Sequence, residues 1–310
     1  MEKHDSSAIF IRKNKKIIAV MLERSFSIST YRIDCFEFCR RAYFYRYIFS
    51  WGGWEKFADP AKKKAYHLKN LKKSDEWLSS VFRESIKKYV KSLSDPGHHN
   101  IKSLFYVANL EFEHKWNEAL KSTNYSDSEG KNSSISELYY KELPPSQTKE
   151  SLAEKFKSAL DGFANSELRK EISEIPYLHF RDLQTPEKFE LNGATVYVSP
   201  DLLWFSEDKP EITCIHLGGF REIRNWDIQA TLSAIFAEKK SKRSNIITRS
   251  VFFNPLELTV WAQRSHSETI ELIGEKSMEM IEFDGKFTKN PPEKEDTEKC
   301  KKCDFREICF

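Results

Sequence analysis

The sequence predicts an α/β fold whose N-terminal half is mainly helical and whose C-terminal half contains a mixed sheet. Hydrophobic side chains recur every three to four residues up to about residue 165, and every second residue from about residue 187. A cluster of cysteines at the C-terminus indicates a small metal-binding segment. The predicted regions are N-terminal strands at 1–27, a mainly helical region at 28–170, an α/β core at 171–290 and a cysteine segment at 291–310.

The composition is that of a folded protein. The 310 residues are 39% hydrophobic, with 50 Lys and Arg against 47 Asp and Glu and a net charge of +3, which excludes wholesale disorder. No run reaches the roughly 18–20 apolar residues that a membrane-spanning helix needs, and the segment Met1–Asp5 does not start a signal peptide. We therefore expect a cytoplasmic protein with no membrane partner.

The N-terminal half begins with two predicted short strands at 8–22, joined by the basic turn Arg12–Lys16. Ser27 or Ser29 then predicts the start of a helix that runs to about Ser50, because serine accepts hydrogen bonds from the first amide groups of a helix. Along that helix, aromatic and cysteine side chains recur every fourth residue and predict a buried face: Tyr31, Cys35, Cys39, Tyr43 and Tyr47.

A turn with two glycines at Trp51–Trp54 ends this helix, and a lysine-rich segment follows at 61–73. A polar loop is predicted at 122–134, and the hydrophobic period predicts helices on both sides of it, at 76–94, 101–122 and 148–165. Alternation then predicts strands at 187–191, 194–198, 201–206, 211–217, 249–254 and 257–262. A turn at 207–210 separates two of these strands, and helices at about 225–240 and 267–281 complete this half.

Three of the six cysteines form a C-x2-C-x5-C run at the C-terminus: Cys300, Cys303 and Cys309. Disulfides are rare in the cytoplasm, so the run predicts a metal site. Three thiolates leave one ligand position open, and either Cys35 or Cys39 is a candidate for it. Zinc and an iron–sulfur cluster both accept four sulfurs, so the spacing leaves the two open.

A short strand ends in Pro200–Asp201, and a β-turn, the segment Thr213–Gly219 and a helix with an early Gln229 follow it. This order resembles the RecB-like branch of the PD-(D/E)XK nucleases. The segment Cys39–Tyr45 resembles the Cys-Pro-Arg-Arg-Tyr-Tyr element of that branch. Two further segments resemble its first helical motif: 65–69 and 77–83.

The resemblance implies a restriction-endonuclease-like core, in which helices flank a mixed central sheet. The C-terminal triplet with one distant cysteine is similar to the iron–sulfur staple of AddB-type and CRISPR-associated RecB-like exonucleases. This likeness implies a structural 4Fe-4S cluster, with zinc as the alternative, held by Cys39, Cys300, Cys303 and Cys309.

Active members of that branch place His in the first motif, Asp in the second and Asp/Glu-x-Lys in the third, where the acids hold Mg²⁺. By the resemblance, the corresponding positions here are Arg83, Asp201, Cys214 and His216, while Gln229 is kept. Cys214 and His216 are two residues apart on a strand and should share the face that Asp201 looks onto. Thiol and imidazole suit softer metals, so the sequence disfavours Mg²⁺ and Mn²⁺ and predicts a pseudo-nuclease.

An alternative is an active metal-dependent DNA exonuclease in which residues at other positions take over the catalytic roles. Glu84 adjoins Arg83, and Arg224 or Lys239 are candidate cations. Glu211 should face away from Cys214 unless a bulge intervenes.

The basic residues predict binding of DNA or RNA, with single-stranded or branched forms favoured, and a protein partner in a DNA-processing or defence complex. Cations neutralise phosphates without a metal, so binding can outlast catalysis. Trp51, Trp54 and Tyr66 are candidates for stacking on bases. A protein-interaction scaffold without nucleic-acid binding is a further alternative. The residues predicted to bind nucleic acid are Arg40, Arg41, Lys62, Lys63, Lys69 and Arg83.

Overall fold

The strand pair expected at 8–22, most of the loop 122–134 and the turn 207–210 lie outside the residues that the structure describes. In this computed structural model those residues are 26–94, 101–122, 134–176, 179–182, 187–191, 193–205, 211–218, 220, 225–241, 247–254, 257–260, 266–294 and 297–309.

The helices of the first half lie mostly where the hydrophobic period predicts them. They are α1 (Thr30–Phe38), α2 (Arg40–Tyr43) continued by a π-helical segment (Phe44–Phe49), α3 (Pro60–Lys69), α4 (Ser74–Ser92), α5 (Ile101–Lys121), α6 (Ser136–Tyr139), α7 (Pro145–Ala164) and α8 (Glu167–Glu174). The second half contains α9 (Trp226–Ser241), α10 (His266–Lys286), α11 (Thr297–Lys301) and α12 (Arg306–Cys309). Within the described residues, none of these helices has both the length and the apolar composition needed to cross a bilayer.

The prediction of a single helix that runs to Ser50 is wrong, because the helix is interrupted at Cys39. Ser29 does cap α1, where its Oγ accepts a hydrogen bond from the amide of Arg32 at 3.2 Å. Cys39 is extended, with φ −163° and ψ 116°, and its Sγ accepts from the amide of Ala42 at 3.4 Å, so that it caps α2. No glycine or proline marks this break, and hydrophobic periodicity therefore continues through it.

The strands form two sheets. They are β1 (Ser27–Ile28), β2 (Phe180–Asp182), β3 (Glu187–Leu191), β4 (Ala194–Val198), β5 (Leu202–Phe205), β6 (Glu211–Leu217), β7 (Ile247–Asn254) and β8 (Glu257–Val260). The smaller sheet has the order β1–β4–β3 and the larger one β2–β5–β6–β7–β8. In the larger sheet β6 is antiparallel to β5 and parallel to β7, and the connection from β6 to β7 passes through α9.

The hydrophobic core consists of two clusters. Ile215 and Leu217 of β6 belong to a cluster with α4, α5 and α7, whereas Ile212 and Cys214 belong to a cluster with α1, α2, α9 and α10. Phe305, near the C-terminus, belongs to the second cluster. Alternate residues of β6 therefore belong to different clusters, and each cluster combines residues of the predicted helical region with residues of the predicted α/β core.

Candidate functional site

Asp201 lies just before β5, where the ends of two strands meet α4. Its amide donates to the carbonyl oxygen of Ile215 at 2.7 Å, and its Oδ2 accepts from the amide of Leu217 at 2.7 Å. From α4, Arg83 Nε lies 3.8 Å from Asp201 Oδ1. The predicted second-motif acid and the residue at the predicted histidine position therefore form an ion pair.

The surroundings of this carboxylate are electrostatically mixed. Burial raises the pKa of Asp201, while the cations Arg83 and Lys87 and the Leu217 amide act in the opposite direction. Glu84, next to Arg83, raises the pKa further. The net shift is upward, so burial outweighs the cations, and the charged carboxylate destabilises the folded protein relative to the protonated form.

Replacing this carboxylate by its neutral isostere should stabilise the protein. A raised folded-state pKa means that the stability contribution of Asp201 is full below its unfolded-state pKa and is lost as the pH rises through the folded-state pKa. We therefore expect Asp201→Asn to have a higher melting temperature than the parent at pH 7–8, with the advantage disappearing toward pH 3. Thermal unfolding of both proteins across this range checks it. A melting temperature lowered by the substitution at neutral pH would contradict it.

Cys214 and His216 share a face of β6, and both contact α9. Cys214 is fully buried and its Sγ lies 3.9 Å from the carbonyl oxygen of Ser233. His216 is 2% exposed, and its Nδ1 lies 3.1 Å from Nε2 of Gln229. Their contacts are thus with α9, whereas the ion-pair partner of Asp201 comes from α4.

Neither side chain carries charge at neutral pH. Burial raises the pKa of Cys214 to about 12 and lowers the pKa of His216 to about 4. His216 Nε2 is buried and has no hydrogen-bond partner within the described ranges. A protonated thiol and a neutral imidazole supply none of the anionic oxygens that Mg²⁺ takes as ligands.

The residues proposed to replace the missing catalytic groups lie in different parts of the structure and have different partners. β6 pairs residue by residue with β5 and β7, so no bulge turns Glu211 toward Cys214, and its Oε1 lies 3.7 Å from Arg249 Nε. Lys239 donates to the carbonyl oxygen of Glu190 at 2.9 Å. Arg224 lies outside the described residues. Glu84 is the candidate acid whose charge acts on Asp201.

The cysteines predicted to bind a metal line one pocket beside α2. One side of the pocket is lined by Cys39, at the break between α1 and α2. Residues of the C-terminal segment, together with residues of α1, α2 and the π-helical segment, line the rest of the pocket. Cys35 does not line it, although it lies one turn earlier, and burial raises its pKa to about 11. The structure therefore brings Cys39, rather than Cys35, to the triplet. The pocket is lined by Phe38, Cys39, Ala42, Tyr45, Lys299, Cys300, Cys303, Phe305 and Cys309.

The donor set of this pocket is chemically suited to a soft metal. The amides of Ala42 and Phe305 point hydrogens at Cys39 Sγ and Cys303 Sγ, each at 3.4 Å. Burial raises the pKa of Cys303 to about 12 and also that of Cys309, so their thiolates need a cation to compensate their charge. In the part of the chain described, no three or more His, Cys, Asp or Glu side chains are arranged to hold a metal ion. The four thiols border a common pocket without surrounding one point.

The segment that carries the triplet is attached to the helical half by polar contacts. Asp304 lies 3.5 Å from Arg46 and accepts from Ser136 Oγ at 3.0 Å, while its carbonyl oxygen accepts from Tyr140 Oη at 2.7 Å. Glu307 forms an ion pair with Lys64 at 2.5 Å. Sequence reasoning missed Asp304 and the short helix α6 that receives it, because no hydrophobic period extends over so few residues.

The residues predicted to bind nucleic acid fall into two groups. Arg40 reaches Glu279 at 2.5 Å, and Arg41 donates to the carbonyl oxygens of Pro292 and Cys309 at 3.1 and 3.2 Å. These guanidinium groups connect α2 to the C-terminal part of the chain, and Arg83 is paired with Asp201. The α3 lysines differ, because their side chains lie at or near the surface: Lys62, Lys63 and Lys69. A nucleic-acid role stays a prediction for every member of both groups.

Comparison of the chain with protein-family models, with curated proteins and with solved structures found no match.

Proposed function

We propose that this protein binds nucleic acid through a PD-(D/E)XK nuclease-like scaffold that no longer cleaves, and that it acts as a subunit of a DNA-processing or defence complex. The observation that carries the proposal is the Arg83–Asp201 ion pair, with Arg83 Nε 3.8 Å from Asp201 Oδ1. A side-chain cation beside this carboxylate compensates part of the charge that a divalent metal ion compensates in an active nuclease.

The third-motif positions support the same proposal. Cys214 and His216 are buried against α9 and neutral at pH 7, so they offer no carboxylate for a metal ion and no ammonium group for a developing negative charge. The negative charge of Glu84, which raises the pKa of Asp201, is the observation that favours the alternative, an active exonuclease with displaced residues. The negative charges of Asp201 and Glu84 are matched in number by the positive charges of Arg83 and Lys87. The local charge is thus balanced without a metal ion, which favours a protein that binds nucleic acid without cleaving it.

The order of elements is compatible with the proposed scaffold. Asp201 precedes β5, Cys214 and His216 lie on β6, and Gln229 lies on α9, which leads to a strand parallel to β6. This is the order in which the landmarks of the resemblance occur in the sequence. Fold analogy bears on function only through the site, and for that reason the proposal rests on the ion pair.

We further propose a structural 4Fe-4S cluster, with zinc as the alternative. Cys39, Cys300, Cys303 and Cys309 would hold it, and the amides at 3.4 Å from two of the sulfurs would stabilise the thiolates. When bound, the group would supply a covalent connection between α2 and the C-terminal segment. Anaerobic purification with measurement of iron, acid-labile sulfide and zinc decides between the cluster and zinc, and a protein that contains neither would overturn the proposal.

The binding function is tested by measuring affinity and cleavage on the same nucleic acids. We expect salt-sensitive binding of DNA or RNA in EDTA, because phosphate neutralisation releases counterions. With Mg²⁺ or Mn²⁺ present we expect the substrate to stay intact. Metal-dependent degradation by the parent that is abolished in Asp201→Ala would show an active nuclease and overturn the pseudo-nuclease proposal. Absence of binding at low salt would overturn the nucleic-acid proposal.

Charge reversal on α3 should weaken this binding. We expect Lys62→Glu combined with Lys63→Glu to lower affinity by about ten-fold or more and to reduce the slope of log affinity against log salt by about 2, since each lost phosphate contact removes about one counterion. Fluorescence anisotropy with a labelled oligonucleotide over a salt series measures both quantities.

The matched control reverses the same number of charges on α7, with Lys155→Glu and Lys157→Glu. Both of these side chains are exposed and lie outside the predicted binding surface. Equal losses in the two double variants would mean that net charge, rather than α3, determines binding.

A further inference from the structure

Two exposed tryptophans of the turn after the π-helical segment and the partly buried Tyr66 of α3 form a row of aromatic rings. The ring centroids of Trp51 and Trp54 are 5.0 Å apart with the rings nearly perpendicular, and Trp54 and Tyr66 are 5.6 Å apart. Trp51 is 51% exposed and Trp54 is 46% exposed. The two neighbouring tryptophans therefore leave apolar ring surface in contact with solvent. We call Trp51, Trp54 and Tyr66 the aromatic row.

The backbone holds the aromatic row in place through its two glycines. Gly52 has φ +77°, a backbone conformation that residues with a side chain rarely adopt. A Cβ atom on Gly53 would lie 2.4 Å from the carbonyl oxygen of Lys62 and 2.6 Å from Cβ of Tyr66, so glycine alone permits this approach of the turn to α3. The turn is closed by a hydrogen bond from the Gly53 amide to the Ser50 carbonyl oxygen at 3.0 Å. The two glycines therefore allow the turn that carries Trp51 and Trp54 to pack closely against α3.

Lysines outnumber acids in the segment that carries the aromatic row. Lys69 Nζ lies 5.2 Å from the centroid of the Tyr66 ring, and Lys63 donates to the carbonyl oxygen of Lys56 at 2.6 Å. The acids of this region are fewer, and one of them, Asp59, caps α3 by accepting from the amides of Ala61 and Lys62. Flat apolar rings bordered by lysines match a ligand with flat apolar faces and anionic links. The lysines of this border are Lys56, Lys62, Lys63 and Lys69.

We propose that the aromatic row stacks on unpaired bases, while the bordering lysines contact the phosphates, so that the ligand is single-stranded nucleic acid. This inference rests on the proposed nucleic-acid function and names its substrate class. Paired bases inside a duplex have no free face for these rings, and the surface should therefore prefer single strands over duplex. Stacking is largely independent of sequence, because every base has a π-face.

Affinity for an oligothymidylate and for an abasic oligonucleotide of equal length tests the proposal. Removing one stacking ring should weaken binding of the oligothymidylate by about ten-fold in Trp54→Ala. The same variant should bind the abasic strand as the parent does, since that strand offers phosphates without bases. Trp54→Phe keeps a ring and should restore most of the affinity. Tyr106→Ala is the control, because Tyr106 is 67% exposed on α5, outside the aromatic row.

The outcomes separate this inference from the proposed function. If the parent binds oligothymidylate and Trp54→Ala binds it equally well, the aromatic row is not the binding surface, although nucleic-acid binding stands. If the parent binds no nucleic acid, both fail. A thermal unfolding curve of each variant confirms folding, and quenching of the parent's tryptophan fluorescence by oligothymidylate gives a readout without any substitution. Absence of quenching under saturating conditions would also overturn the stacking proposal.

Discussion

Cys303→Ser is expected to prevent assembly of the proposed cluster and to lower the free energy of unfolding by about 5 kcal/mol. Cys39 and the C-terminal triplet line the same pocket, and a metal that joins them closes a loop containing most of the chain. The loop-closure entropy for a cross-link of this length is on the order of 5 kcal/mol. That amount is a large part of the whole stability of a typical domain, so the variant should unfold at a much lower urea concentration than the parent.

The measurement combines metal analysis with urea unfolding of the parent and the variant. Cys35→Ser is the matched control, since Cys35 lies one helical turn from Cys39 but does not line the pocket. We expect the control to keep its metal and to lose far less stability. A Cys303→Ser protein that lacks metal but melts with the parent would show that the cluster does not stabilise the fold.

Other contacts of the C-terminal segment allow the loss to be assigned to the metal. Arg46 and Ser136 reach Asp304, and Lys64 reaches Glu307, through side chains that the cysteine substitution leaves in place. Phe305 is also fully buried in the second hydrophobic cluster. These contacts anchor the segment in both proteins, and the difference between them therefore reports on the cross-link.

An acid in place of Cys214, the position proposed to correspond to the third motif, should destabilise the protein and should not produce nuclease activity. Cys214 is fully buried in the cluster that includes Ile212 and Phe236, and burial alone raises its pKa to about 12. A carboxylate at the same place would be desolvated without a cationic partner in the described surroundings. An uncompensated buried charge costs about 3–5 kcal/mol, and we expect Cys214→Asp to be destabilised by that amount at pH 8.

The pH dependence of this loss has a definite sign. Burial raises the folded-state pKa of an aspartate at residue 214 above the unfolded value, so the penalty is absent at low pH and grows as the pH rises through the folded-state pKa. Cys214→Asn is the neutral control of the same shape. The stability difference between the two variants should widen from pH 4 to pH 8 in urea titrations. A constant difference, or metal-dependent DNA cleavage by Cys214→Asp, would mean that the surroundings of residue 214 are able to accommodate a charged carboxylate.

Hydrophobic period predicted most of the fold of the described residues. The strands at 187–191, 194–198 and 211–217 appear with the predicted bounds, and the long helices of both halves deviate by a few residues. These elements have one face buried in a core cluster, so the period of their apolar residues directly reflects the packing. The break at Cys39 was missed, because backbone geometry at one residue leaves no mark on a hydrophobic period.

The candidate site was less predictable than the fold, since charges acquire their partners only in three dimensions. Arg40 and Arg41 look in the sequence like residues that bind phosphate, yet they reach Glu279 and the carbonyl oxygens of Pro292 and Cys309. A guanidinium group on a helix is able to donate its hydrogen bonds either to a phosphate of a ligand or to an oxygen atom of the same protein. The partner is decided by residues more than two hundred positions away.

The sequence by itself determined the α/β class, the order of the long helices and of most strands, and the presence of a C-terminal thiol cluster, because periodicity and spacing are local properties of a chain. Only the tertiary structure decided that Cys39 lines the thiol pocket, that Arg83 pairs with Asp201, and that Cys214 and His216 are neutral. Each of those outcomes depends on which distant groups approach and how much water they displace. Desolvation and ion pairing arise from packing, and they determine whether an acidic residue meets a metal ion or a side-chain cation.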